Sequence, residues 1–181
     1  MKTAIENELT NYRNKFSNKI YCDENNDTDI LMDIFCISPA LKRENKQYWG
    51  RELGTLWEHI IQIVFKNAVP DLYKPAIKIK KDEPCDLIVG SYAIDTKYRV
   101  GSGDSGTLKK FKQYGPLLSS MGYKPVMLFL REDNLSNAIN ACKKGGWIIY
   151  TGEQTFNFVK EISGVDIKSL LLTYANKYSM H

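Results

Sequence analysis

Two short apolar runs, Asp86-Leu-Ile-Val89 and Tyr92-Ala-Ile-Asp-Thr-Lys-Tyr-Arg-Val100, are separated only by Gly90-Ser91. Two strands joined by a two-residue loop that begins with glycine read as a tight hairpin of the II′ type, which sets Val89 against Tyr92. Counting outward places Asp86 against Asp95. Opposed strand positions hold their Cβ atoms about 4.5–5.5 Å apart, where two like charges repel unless something binds both, as a divalent cation would. Strand side chains alternate with period two, so Lys97 and Arg99 share a face with Asp95, while Ile94, Thr96 and Tyr98 point the other way. Two carboxylates and an ammonium therefore converge.

The rest of the chain predicts how such a hairpin is housed. With 181 residues and 43% hydrophobic content, one well-buried domain is expected over 1–181. An amphipathic helix is expected over 2–19, with Ile5, Leu9, Tyr12 and Phe16 on one face. Asp23, Asn25 and Asp27 have the offsets of a calcium loop, but Thr28 stands where that loop needs Gly and Ile34 where it needs Glu, so the segment reads as a solvated loop or helix start. From Gly50 to Asn67, Leu53, Leu56, Trp57, Ile60, Ile61, Val64 and Phe65 form a broad helical face. Pro70 and Pro75 bracket a loop, and Ala76–Lys81 alternates as an edge strand does.

After the hairpin come a glycine loop, Gly101-Ser-Gly-Asp-Ser-Gly106, and a basic helix that Pro116 should bend. A nearly continuous apolar run over Lys124–Leu130 reads as a buried central strand. A helix over Leu135–Lys144, a strand over Trp147–Tyr150 and helices over 153–163 and 166–178 complete the order.

Charge is uneven along the chain. Residues 1–35 carry four basic and seven acidic groups, whereas residues 36–112 carry fourteen basic and nine acidic ones. A basic middle around a carboxylate cluster suits a polyanion whose phosphates approach a metal. The four cysteines, at 22, 36, 85 and 142, have no zinc-site spacing, which favours reduced thiols in the cytoplasm. No apolar stretch approaches the roughly 18 residues of a membrane span.

The tripeptide acid-x-Lys occurs three times, as Glu44-Asn-Lys46, Asp95-Thr-Lys97 and Asp166-Ile-Lys168. Only Asp95 lies on a strand beside a second strand with an opposed Asp, after a long helix and before a basic one. With Pro84-Cys-Asp86 as first half and Asp95-Thr-Lys97 as second, the chain resembles the PD-(D/E)xK nuclease superfamily over roughly residues 50–150, and is most like a type II restriction endonuclease. That resemblance implies an α/β fold with a restriction-endonuclease-like three-layer core, a central mixed β-sheet flanked by helices. Residues 1–49 and 151–181 would then be elaborations.

It further implies a glutamate from the preceding helix, for which Gly54-Thr-Leu-Trp57-Glu58 is similar to the family pattern, with Glu52 as the alternative register. The implied ligands are Asp86, Asp95 and Glu58 around Mg²⁺, which Mn²⁺ could replace. Oxygen ligands suit that ion. Lys97 would orient or help deprotonate the attacking water and offset phosphate charge. Arg99, Ser102, Ser105, Lys109, Lys110 and Lys112 are candidates to meet DNA. The implied partners are double-stranded DNA, a second copy in a homodimer matching a palindromic site, and a cognate DNA methyltransferase as genetic partner. A nuclease directed at branched or damaged DNA would share the metal site, and a non-catalytic DNA-binding relative would not need it.

Two other signals are weaker. Gly101, Gly103 and Gly106 match GxGxxG, but the strand before them is charged on one face, where a dinucleotide-binding strand is apolar; a loop that lets backbone amides approach nucleic acid suits them better. His59 lies on the buried-helix segment and reads as structural, and only His181 accompanies it, which leaves little for serine or cysteine hydrolysis.

Overall fold

A computed structural model describes residues 2–17, 25, 27–79, 82–101 and 105–179. In chain order its elements are α1 (Lys2–Ser17), α2 (Ile30–Phe35), α3 (Pro39–Glu44), α4 (Lys46–Ala68), β1 (Tyr73–Pro75), β2 (Leu87–Val89), β3 (Tyr92–Lys97), α5 (Ser105–Ser120), β4 (Lys124–Phe129), α6 (Ser136–Lys144), β5 (Ile148–Thr151), α7 (Glu153–Ser163) and α8 (Ile167–Leu172). The strands form one mixed sheet in the order β1-β2-β3-β4-β5. β1, β2 and β3 pair antiparallel, and β3, β4 and β5 parallel. This is the α/β architecture of a five-stranded mixed sheet flanked by helices, consistent with a restriction-endonuclease-like fold.

Strand alternation divides the core between the two faces of the sheet. Leu87, Val89, Ile94, Tyr98, Val126 and Leu128 join Trp57, Ile61 and Phe65 of α4 and Phe158 and Val159 of α7 on one face. Ile88, Ala93, Met127 and Phe129 join Phe111 and Leu118 of α5 and Ala138, Ala141 and Cys142 of α6 on the other. Because β3, β4 and β5 are successive neighbours and parallel crossovers keep one hand, α5 and α6 fall on the same side. There they touch closely: a Cβ on Gly115 would collide with Gly145 O, and Trp147 Nε1 donates to Phe111 O at 2.7 Å.

α4 positions the site from the opposite side. Its start is capped by the Asn45 side chain, which accepts from Tyr48 N at 3.1 Å, and Leu53, Trp57, Ile61, Val64 and Phe65 bury one stripe. Each such side chain contributes about 1.5–3 kcal/mol on burial, which fixes the rotation of the helix and so the direction of Glu58.

Two expectations need correcting. The strand beside the hairpin is Tyr73–Pro75, whereas Ala76–Ile79 forms no strand and contributes only an isolated bridge between Ile79 and Asp82; Lys80 and Lys81 lie outside the described residues. Pro75 is tolerated because an edge strand can leave its nitrogen side unpaired. The last helix is shorter than 166–178: after Leu172 the chain turns, Asn176 adopts φ +60°, and Asn176 N and Tyr178 N donate to Asp33 O and Ile34 O at 2.9 and 3.2 Å. Pro116 falls inside helix α5, which runs on to Ser120.

The region before residue 50 contains two short helices that periodicity does not reveal. α2 is capped by Asp29, whose Oδ1 accepts from Leu31 N and Met32 N at 3.1 and 3.2 Å. α3 is capped by Ser38, with Pro39 opening the helix. Among the described residues no helix is long and apolar enough to cross a membrane.

Candidate active site

The hairpin forms in the expected register, with Val89 opposite Tyr92, Ile88 opposite Ala93 and Leu87 opposite Ile94. Gly90 has φ +56° and Ser91 does not share a positive φ, the pattern of a II′ turn. One step further out the ladder changes. Asp86 N donates to Ile94 O at 2.9 Å, and Asp86 Oδ2 accepts from Thr96 N and Thr96 Oγ1 at 2.6 and 2.7 Å. The Asp86 carboxylate thus takes a bond that a partner strand's carbonyl would otherwise receive, and it is locked at the strand end.

Asp95 and Lys97 project from one face of β3, as alternation requires, and their charged ends are in contact. Asp95 is only 8% exposed. Its Oδ1 is buried against the Lys97 ammonium. Lys97 Nζ also donates to Thr96 O at 2.9 Å. Glu58 faces this group from α4, and Gln62, one turn later, donates Nε2 to Glu58 Oε1 at 3.0 Å.

Electrostatics tie the four residues together. Burial raises the Asp95 carboxyl to about 7; Lys97 opposes that shift, and Asp86 and Glu58 add to it. Burial also raises Glu58, with Asp86 contributing and Lys97 opposing. For Lys97 burial works toward a lower value, but the carboxylates of Asp95, Asp86 and Glu58 outweigh it and the ammonium is strengthened. Lys97 is therefore a fixed positive charge and hydrogen-bond donor near neutral pH.

As they stand, the carboxylates are not closed around a point: among the described residues no three His, Cys, Asp or Glu side chains are gathered closely enough to hold an ion. Asp86 is engaged by Thr96, Glu58 by Gln62 and Asp95 by Lys97. The donor set nonetheless fits a hard divalent cation, being all carboxylate oxygen. Glu52 is paired with its neighbour Arg51 at 2.9 Å, and no interaction joins it to this group.

The other sequence candidates are scattered. Arg99 turns away from the cluster: its Nε donates to Asp133 O at 2.9 Å and to Asp133 Oδ2 at 3.1 Å, and its side chain is nearly buried. Ser105, Lys109, Lys110 and Lys112 are exposed on α5; Lys110 lies 3.8 Å from Asp82. Ser102 lies outside the described residues.

Beside the cluster stands a second charged group that sequence reading missed. The Tyr98 hydroxyl donates to Asp29 Oδ2 and accepts from Lys42 Nζ. Arg131 Nη1 donates to the same Asp29 oxygen at 2.8 Å, and Arg131 Nε donates to Asp133 Oδ1 at 2.8 Å. Burial would raise the Asp133 carboxyl, but bonds from Arg131 and the Asn25 N–H hold it below its ordinary range. The caps Asp29 and Ser38-Pro39 were legible signals of the helices that bring Asp29 and Lys42 here; Gln62, four residues after Glu58, was likewise legible as a helical neighbour.

A family model for ApaLI-like restriction endonucleases matches residues 2–176. The chain belongs to that family. No curated protein and no solved structure matches it. Membership makes the chain a restriction endonuclease by family, and that family's model spans the acidic cluster, α5 and the helices before residue 50 together.

Proposed function

We propose that the chain is a Mg²⁺-dependent type II restriction endonuclease that hydrolyses phosphodiester bonds in double-stranded DNA, with Glu58, Asp86, Asp95 and Lys97 as a PD-(D/E)xK site in one nuclease domain spanning 1–181. The observation that carries this reading is a family match over 2–176 around three carboxylates that share one lysine.

Asp86, Asp95 and Glu58 would hold the ion, with Mn²⁺ able to replace Mg²⁺. Bound there, the ion supplies positive charge for the phosphoryl oxygens and lowers the pKa of an attacking water. Lys97, kept protonated by its carboxylate neighbours, orients that water as a donor and offsets charge on the scissile phosphate. Lys109, Lys110 and Lys112, with Ser105 at the start of α5, meet the DNA backbone, which positions the duplex without reading its sequence. Arg99 is occupied by Asp133 and holds the end of β3. Two copies acting on a two-fold site and a partner methyltransferase that protects host DNA complete the reading.

Supercoiled plasmid incubated with protein and Mg²⁺ tests it. The expected result is a set of discrete linear fragments, absent with Lys97→Ala or with chelator. Unspecific degradation or cutting confined to branched DNA would replace restriction by a repair-type nuclease. No cleavage of any DNA with Mg²⁺ or Mn²⁺ would reject catalysis.

A further inference from the structure

Two carboxylates of the cluster are each held on one oxygen by uncharged donors. Asp86 Oδ2 accepts both the backbone N–H and the hydroxyl of Thr96, at 2.6 and 2.7 Å. Glu58 Oε1 accepts from Gln62 Nε2 at 3.0 Å. Packing alone does not call for either donor. Thr96 lies on β3 between Ile94 and Tyr98, which share its face of the sheet and belong to the apolar core there, and it is only 5% exposed. A valine would have the same shape at that position and no hydroxyl to strip of water, a loss that is costly unless a hydrogen bond replaces it. Gln62 is half-buried on α4, one turn after Glu58. Its amide reaches the carboxylate as residues four apart on a helix can, and gives up side-chain freedom to do so.

The neighbouring carboxylates show the alternative. Asp29 and Asp133 are both met by the Arg131 guanidinium, which cancels their charge as it fixes them. A hydroxyl, an amide and a backbone N–H fix a carboxylate and leave its negative charge in place. We propose that Thr96 and Gln62 are positioning residues of the metal site, holding Asp86 and Glu58 in the orientation that receives a divalent ion. With two donors on Oδ2, the lone pairs of that oxygen are occupied and Oδ1 is left for a ligand. Glu58 is longer and more mobile than an aspartate, and the Gln62 amide restricts the rotamers its carboxylate samples. Hydrogen-bonding partners behind a metal's ligands orient them in advance, and losing one such partner typically lowers metal affinity or activity by about 10–100-fold. Thr96 and Gln62 have this role only on the metal-site reading above, to which they add what keeps two of its ligands in place.

Mn²⁺ titration of the full chain without DNA, read from the paramagnetic resonance of the unbound ion, tests this on wild type, Thr96→Val, Thr96→Ser and Gln62→Met. The urea midpoint of each, measured without metal, reports separately on folding. Thr96→Val and Gln62→Met should each bind Mn²⁺ about 10–100-fold more weakly per folded molecule, whereas Thr96→Ser, which keeps the hydroxyl, should retain wild-type affinity. The Mg²⁺ concentration for half-maximal plasmid cleavage should rise by the same factor in the two weakened variants, with excess Mg²⁺ restoring the rate. Wild-type affinity in either folded variant overturns the assignment. So does a Thr96→Ser that binds as weakly as Thr96→Val, because the hydroxyl is then not responsible. If Thr96→Val does not fold, Gln62→Met, at a half-buried helix position, decides by the same criterion. Plasmid cleavage also separates this role from the nuclease reading: a wild type that cuts DNA, with Mn²⁺ uptake that the variants leave unchanged, rejects the positioning and leaves the nuclease. Uptake weakened in the variants of a chain that never cuts DNA does the reverse, and a wild type that takes up no Mn²⁺ overturns the positioning outright.

Discussion

Two charged clusters meet at the end of β3, on either side of the peptide joining Lys97 to Tyr98, and they are completed to different degrees. In the Tyr98 cluster every charge has an answering group: Asp29 receives Tyr98 and Arg131, Asp133 receives Arg131 and Arg99, and Lys42 donates to Tyr98. In the Lys97 cluster three carboxylates share one ammonium, and Asp95 and Glu58 are both pushed toward the protonated form. Burying charge is costly unless it is paired. A cluster answered from within the protein acts as structure, joining α2 and α3 to the sheet. A cluster left in mutual repulsion gains most from a ligand of opposite charge.

The sharpest way to break this comparison is to remove the same kind of group from each side. Lys97→Ala should lower plasmid cleavage by about 10⁴-fold, the upper range for a positioned proton-handling group, while the fall in urea midpoint, caused by leaving three carboxylates without their shared cation, is limited by protonation of Asp95. Retention of more than a tenth of wild-type activity would remove Lys97 from the chemistry.

Arg131→Met should do the opposite. It strands Asp29 and Asp133 in a buried setting and should cost about 3–5 kcal/mol of stability, read as a lower urea midpoint at unchanged slope, with cleavage per folded molecule largely retained at low temperature. Tyr98→Phe is the milder version: losing one hydroxyl between Asp29 and Lys42 should cost about 1–3 kcal/mol, and a neutral effect would mean those two close on each other directly.

The smallest effect concerns pH. The folded-state pKa values of Asp95 and Glu58 are raised above their unfolded values, so between about pH 4 and 7 the folded protein binds more protons than the unfolded chain. Their contribution to stability is thus lost as pH rises through that window. Protons compete with a cation for the same oxygens, so Mg²⁺ should raise Tm by a few degrees at pH 8, corresponding to about 1 kcal/mol, and by less at pH 5.5. Asp95→Asn should abolish the difference; an equal rise at both pH values in wild type would mean that the ion binds elsewhere.

Much of this arrangement is legible in the chain because it is local. Gly90-Ser91 fixes the hairpin register, the apolar run at Lys124–Phe129 gives the buried strand β4, and element order from α4 onward follows from changes in hydrophobic period. What is not legible depends on distant partners. Strand β1 exists because β2 offers an edge, which overrides the alternation at Ala76–Ile79. Arg131 and Asp29 are 102 positions apart, and neither carries a local mark of its partner. At the site itself, parity correctly puts Asp95 and Lys97 on one face, but no pattern announces that Asp86 leaves the ladder for Thr96, since that depends on a carboxylate outcompeting a carbonyl.

The central claim is that the unbalanced cluster, and not its completed neighbour, binds a divalent ion. Titrating Mn²⁺ into DNA-free protein while following the unbound ion by electron paramagnetic resonance tests this directly in wild type, Asp86→Asn, Asp95→Asn and Asp133→Asn. Saturable uptake that is lost in the first two variants and kept in Asp133→Asn is the predicted result. No uptake by wild type, or uptake that Asp86→Asn and Asp95→Asn leave unchanged, would contradict it.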